Sequence, residues 1–248
     1  MPTVLFSRSN FDLVTSYLAS YSAKLIDFAK QNGYTTVELY NDDPKMPARL
    51  STFEQEILKK PDIFIGCSHG NSILFTGQDL EVLLKAGMNE DYLSDVKTYL
   101  WACETGAKLG PDAVAKTCPQ FYGYLADWTF IYHPDYESRP LEDPYARAFF
   151  DCGLATGYAL LLGKTPQEIY QATIDRYDYW FDYWQKQEDS MADEILTWLN
   201  WNRTNFIAIT KSGIYEAPKT TGLNIPLALP VIGFASALLL LVVSTATR

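Results

Sequence analysis

Along the first half of the chain, short apolar runs alternate with segments whose apolar positions recur every three or four residues. Val4-Leu5-Phe6 predicts a strand. The series Phe11, Val14, Leu18, Tyr21, Leu25 and Phe28 predicts a helix from Phe11 to Lys30, and the β-branched run Thr35 to Tyr40 predicts a second strand after Gly33. The alternation continues with a helix at Leu50 to Lys59, a strand at Asp62 to Cys67, and a helix near Asp79 to Lys85. A strand at Thr98 to Ala102, a helix near Asp112 to Lys116 and a strand at Phe121 to Leu125 follow. Parallel neighbours need crossover connections, so five strands separated by helices predict an α/β fold with a mostly parallel sheet flanked by helices. The continuous apolar runs Ile63-Phe64-Ile65 and Tyr99-Leu100-Trp101 suit strands buried on both faces.

After Pro144 the helical period persists. One helix is expected from Tyr145 to Leu162, and a second opens at the capping box Thr165-Pro166-Gln167-Glu168 with proline at its first position. Tyr170, Ile174, Tyr177, Phe181 and Trp184 form an aromatic stripe at helical spacing, assigned to core packing rather than to a stacking platform. Asn205 to Thr210 predicts a last strand. The expected organisation is one domain over residues 1–213, with a sheet portion at 1–135 and a helical extension at 142–204, then a linker at 214–224.

No charged residue occurs from Thr220 to Thr247, and no polar stripe breaks the apolar run within it. A helix from Pro230 to Thr247 would reach roughly 27 Å, near the ~30 Å hydrocarbon core of a bilayer. The expectation is a single transmembrane helix at 225–244 acting as a C-terminal tail anchor. Lys211 and Lys219 on its N-terminal side favour a cytoplasmic catalytic domain.

Composition narrows the function. At 48% hydrophobic, 20% charged and 15% aromatic, the 248 residues are not those of a disordered chain, a collagen or a coiled coil. Thirty Asp+Glu against 20 Lys+Arg give a net charge of −10, which disfavours nucleic acid as a partner. The four cysteines, at 67, 103, 118 and 152, form no CxxC pair and are expected as reduced thiols. No signal peptide is expected at the N-terminus. Neither GxGxxG nor a P-loop occurs, so no cofactor is expected.

Sites in open α/β sheets lie at the carboxyl ends of the strands, and two strand ends carry reactive side chains. One runs into Ser68-His69-Gly70, the other into Cys103-Glu104-Thr105-Gly106. On adjacent strands, His69 and Cys103 would present a base and a thiol, the minimum for nucleophilic catalysis. Three other readings compete. Each residue could be purely structural; Cys67, His69 and Cys103 could bind zinc, although no fourth ligand is in evidence; and His133 could be the base.

SHG after one apolar strand and ACETG after a later one resemble the caspase-like (clan CD) cysteine peptidases, and ACETG is especially similar to their CHAT branch. The strand from Phe121 running on to Trp128 resembles that branch too, and the resemblance spans Val4 to Phe130. It implies Cys103 as nucleophile, His69 as general acid/base, and the backbone N–H groups of Gly70 and Cys103 as oxyanion donors. Substrate-binding candidates by the same resemblance are Trp101 two residues before the nucleophile, Arg8 and Asp12 after the first strand, and Asp127 after the fifth. Arg8 would select an acidic side chain, either Asp a basic one. The function expected is membrane-anchored limited proteolysis of a protein substrate, by analogy in a defence or cell-death circuit, without metal. A catalytically inactive adaptor and another thiol-dependent acyl-transfer enzyme are the alternatives.

Overall fold

The computed structural model describes residues 1–41, 43–217 and 242–244. Strand β1 (Thr3–Arg8) leads into helix α1 (Leu13–Gln31), whose first turn is closed by a capping box: the Asp12 carboxylate accepts the Thr15 N–H, and the Thr15 hydroxyl accepts the Asp12 N–H. Next come β2 (Thr35–Tyr40), α2 (Leu50–Ile57), β3 (Ile63–Cys67), the short strands β4 (Leu74–Thr76) and β5 (Val82–Lys85), and β6 (Lys97–Trp101). Helix α3 (Leu109–Ala115), β7 (Gln120–Tyr124) and β8 (Thr129–Ile131) complete the first half. The second half holds α4 (Ala146–Leu161), α5 (Pro166–Trp184), α6 (Ala192–Asn205), β9 (Phe206–Thr210), β10 (Gly213–Glu216) and β11 (Val242–Ser244).

The central sheet has the order β10-β9-β7-β6-β3-β1-β2. From β2 to β7 all neighbours are parallel, as the alternating pattern predicts, and β9 and β10 add antiparallel strands beside β7. Successive side chains point to opposite faces. Phe6, Ile65, Tyr99, Trp101 and Tyr124 therefore pack with α1, α4, α5 and α6, while Leu5, Phe64, Leu100 and Phe121 pack with α2 and α3. On the first face α4 lies directly on Trp101, a contact that needs Gly153, because a Cβ there would stand 2.1 Å from the indole.

Three expectations change. The helix expected near Asp79 to Lys85 is instead a 3₁₀ turn at Gln78–Leu80 followed by β5, paired antiparallel with β4. Asp79 and Leu80 take φ of 53° and 64°, which no right-handed helix continues. Residues 214–216, expected in the linker, belong to the edge strand β10. The transmembrane helix expected at 225–244 is also corrected. Among the described residues no helix is long and apolar enough to cross a membrane, and Val242–Ser244 form β11, antiparallel to β8 with Val243 opposite Phe130. Uniform apolarity does not distinguish helix from strand, and the β-branched pair Val242-Val243 suits the extended form. The rest of that segment and the linker from 218 onward lie outside the described residues, and so does the tail-anchor expectation.

Candidate active site

The register of the sheet brings the two motifs level. In the parallel pair β3 and β6, Cys67 stands opposite Trp101, so His69 and Cys103 each lie two residues past the same rung, on strands ~4.8 Å apart. Cys67, Trp101 and Cys103 all belong to the core on the α1 side. The two loops also touch: a Cβ on Gly70 would lie 3.0 Å from Thr105 Cγ2 and 3.1 Å from Ala102 Cβ. Gly70 bridges Phe75 through Asn71 N–H to Leu74 C=O (2.9 Å) and Thr76 N–H to His69 C=O (3.0 Å), so the Gly70 N–H itself takes no part in that bridge.

His69 is buried, with its ring 5.6 Å from that of Phe11 and its Nε2 2.6 Å from Asp12 Oδ2. Asp12 thus caps α1 with one oxygen and holds His69 with the other. Burial pushes its carboxyl up, but the bonds to His69 and Thr15 outweigh this and hold it below the ordinary value.

Cys103 has no exposed surface. Its Sγ accepts the Trp128 N–H at 3.1 Å and lies 3.6 Å from the Trp128 carbonyl oxygen. The turn that follows is fixed on both sides. Glu104 takes φ of 51°, its N–H donates to Ala126 C=O at 3.1 Å, and its carboxylate accepts the Ser72 N–H at 3.1 Å. One residue therefore ties the cysteine turn to the loop after β7 and to the histidine loop.

The substrate-binding candidates are placed differently from one another. Arg8 is buried, ion-paired with Glu38, bonded to Ala19 C=O at 2.6 Å, and stacked 4.3 Å from the Tyr40 ring centroid. It lines a cavity of about 480 Å³ with Asn10, Tyr40 and Glu137. A second cavity of about 400 Å³, lined by Phe11 and Asp12, shares Asn10, Ser16 and Glu137 with the first. A groove therefore leads from Asp12 to Arg8. Trp101 is wholly buried between Tyr99, Trp128 and Phe150, and offers no surface to a substrate. Asp127 is half-buried; its carbonyl accepts the Trp201 indole N–H at 2.8 Å, and its Oδ1 has no hydrogen-bond partner among the described residues.

His133 caps a 3₁₀ turn through the Asp135 N–H (3.2 Å) and lines a different cavity. No group of three or more His, Cys, Asp and Glu among the described residues is placed to hold a metal ion. Burial pushes the Cys67 and Cys118 thiols up to about 12 and holds the Cys152 thiol well above its ordinary value. Sequence reasoning singled out Asp12 as a pocket candidate and missed it as the partner of His69. The available signal was its place as helix N-cap just past a strand end. No protein-family model matches the chain, and no curated protein matches it in sequence.

Proposed function

We propose that the protein is a cysteine endopeptidase of the caspase-like kind, with Cys103 as nucleophile, His69 as general acid/base and Asp12 as the residue that positions His69. The observation that carries this reading is the Asp12–His69 bond at the tip of β3, beside the tip of β6 that bears Cys103. With Asp12 on Nε2, protons pass between His69 and the substrate through Nδ1. His69 takes the Sγ proton, the thiolate forms a bond to the scissile carbonyl carbon, and the oxyanion is held by the Gly70 and Cys103 N–H groups. The imidazolium then protonates the leaving amine as the C–N bond breaks. Water, deprotonated by His69, hydrolyses the thioester and regenerates the thiol. The groove between Asp12 and Arg8 carries Glu137, while Arg8 is already ion-paired with Glu38 and Asp12 with His69, so Glu137 favours a basic side chain at the cleaved position.

A specific observation favours a second reading. Cys103 is completely covered, with Sγ held by the Trp128 backbone, which suits a catalytically silent binding protein. Under the peptidase reading this is a closed state, and the 125–128 loop shifts when substrate binds. Incubation with a peptide library decides between them. Cleavage after Lys or Arg, lost by more than about a thousandfold in both Cys103→Ala and His69→Ala and no further in the double variant, is the expected result. Cleavage that survives Cys103→Ala would overturn the dyad, and a folded wild-type protein that cleaves nothing would favour the binding reading.

A further inference from the structure

The helical half contains a cavity of about 470 Å³ that the peptidase reading leaves unused, and neither Asp12, His69 nor Cys103 lines it. Its wall is a continuous run of five rings. Tyr136 meets His133 with centroids 5.5 Å apart and planes at 84°, and His133 meets Tyr145 at 5.4 Å and 48°. Tyr145 meets Trp184 at 5.9 Å and 64°, and Trp184 meets Tyr183 at 5.6 Å and 86°. Rings turned so steeply against one another form a concave surface rather than a flat stack. Pro144, Gln187 and two acids, Glu188 and Asp189, complete the lining, which includes no Lys or Arg.

The acid nearest the rings is fixed in place. The Asp189 carboxylate accepts the Met191 N–H at 2.8 Å and lies 3.3 Å from the Tyr145 hydroxyl. Burial and the Asp189 charge push the Tyr145 phenol above its ordinary value, so this ring stays neutral. Aromatic rings attract cations through their quadrupoles, and fixed carboxylates add a Coulombic attraction. The ring faces suit the apolar methyl groups of a quaternary ammonium, which has no N–H to satisfy, while the carboxylates supply its counter-charge.

We infer that this cavity binds a small organic cation bearing a trimethylammonium group, enclosed by Tyr136, Tyr145, Tyr183 and Trp184 with Asp189 and Glu188 supplying the counter-charge. Titration calorimetry of the full chain with choline chloride, and in parallel with 3,3-dimethylbutan-1-ol, separates charge from shape, because the alcohol has the same outline and no charge. Saturable choline binding at least about tenfold tighter than that of the alcohol is expected. Tyr183 is 43% exposed, so Tyr183→Ala removes a wall of the cavity without opening the core, and it should weaken choline by at least about threefold. Tyr179→Ala, an exposed ring outside the cavity, should leave affinity within twofold of wild type. Sedimentation with phosphatidylcholine vesicles identifies the source of the group: co-sedimentation that choline competes away assigns a lipid headgroup, and its absence beside intact choline binding assigns a free cation. Equal affinity for the alcohol, no saturable choline binding, or an unchanged affinity in Tyr183→Ala would overturn the inference.

Discussion

Asp12 serves two structures with one carboxylate: Oδ1 accepts the Thr15 N–H at 2.8 Å and closes the first turn of α1, and Oδ2 holds His69 at 2.6 Å. Asparagine can still cap a helix but brings no charge to the imidazole. Asp12→Asn should therefore lower kcat/KM at least about tenfold through kcat, and it keeps the cap while losing the carboxylate's contribution to thermal stability at neutral pH. The pH dependence follows from the direction of the shift. A carboxyl held below its ordinary value in the folded protein stabilises it above the unfolded value, and this contribution is lost as pH falls through the lower folded value. Thermal melts between roughly pH 3 and 7 should show a steeper acid loss in the wild type than in Asp12→Asn. Glu137→Gln, on the groove wall, should weaken cleavage after Lys or Arg while leaving the rate of Cys103 alkylation unchanged. His69 and Cys103 were legible in the sequence because each is a reactive polar residue that interrupts an apolar strand at its end. The Asp12–His69 bond was not, because it depends on where α1 docks, and Trp128 acts on Cys103 through its backbone, which side-chain reasoning does not see.

Helix α4 reaches the sheet through a glycine. Adding a methyl at Gly153 would drive it to within 2.1–2.6 Å of three atoms of the Trp101 ring, which belongs to β6. Gly153→Ala should cost about 1–3 kcal/mol by denaturant unfolding despite its better helix propensity, because overpacking outweighs the gain. At the start of α5, Thr165 accepts the Glu168 N–H and Glu168 reaches back to the Thr165 N–H at 2.8 Å, so Thr165→Ala should cost about 1 kcal/mol in the same measurement. That capping box was legible in four residues, and β2 at Thr35–Tyr40 was predicted to the residue, because caps and β-branched runs are local signals. The β4–β5 hairpin was not legible, since Val82-Leu83-Leu84 suits either period and the decision falls to the left-handed pair Asp79 and Leu80. The β8–β11 pairing joins residues more than a hundred positions apart, and hydropathy carries no information on such a partnership.

At the scale of the whole molecule, the parallel sheet gathers the carboxyl ends of β1, β3, β6 and β7 at one edge, and those ends supply Asp12, His69, Cys103 and Trp128. Strand order alone assembles the candidate site. The helical half covers one face of the sheet, buries Trp101 and carries the aromatic cavity separately, so the two sites can be tested independently. Because Cys103 is covered, catalysis by it requires opening when substrate binds, and a reagent that must bind before it reacts probes that opening best. The decisive measurement is covalent trapping of the full chain by a peptidyl acyloxymethyl ketone ending in Arg, located by peptide mapping. One adduct is expected, on the Cys103 sulfur, slowed by more than about a hundredfold in His69→Ala, with Cys67, Cys118 and Cys152 unmodified behind thiols that burial keeps protonated. An adduct on one of those three, or labelling of Cys103 at the same rate without His69, would contradict it.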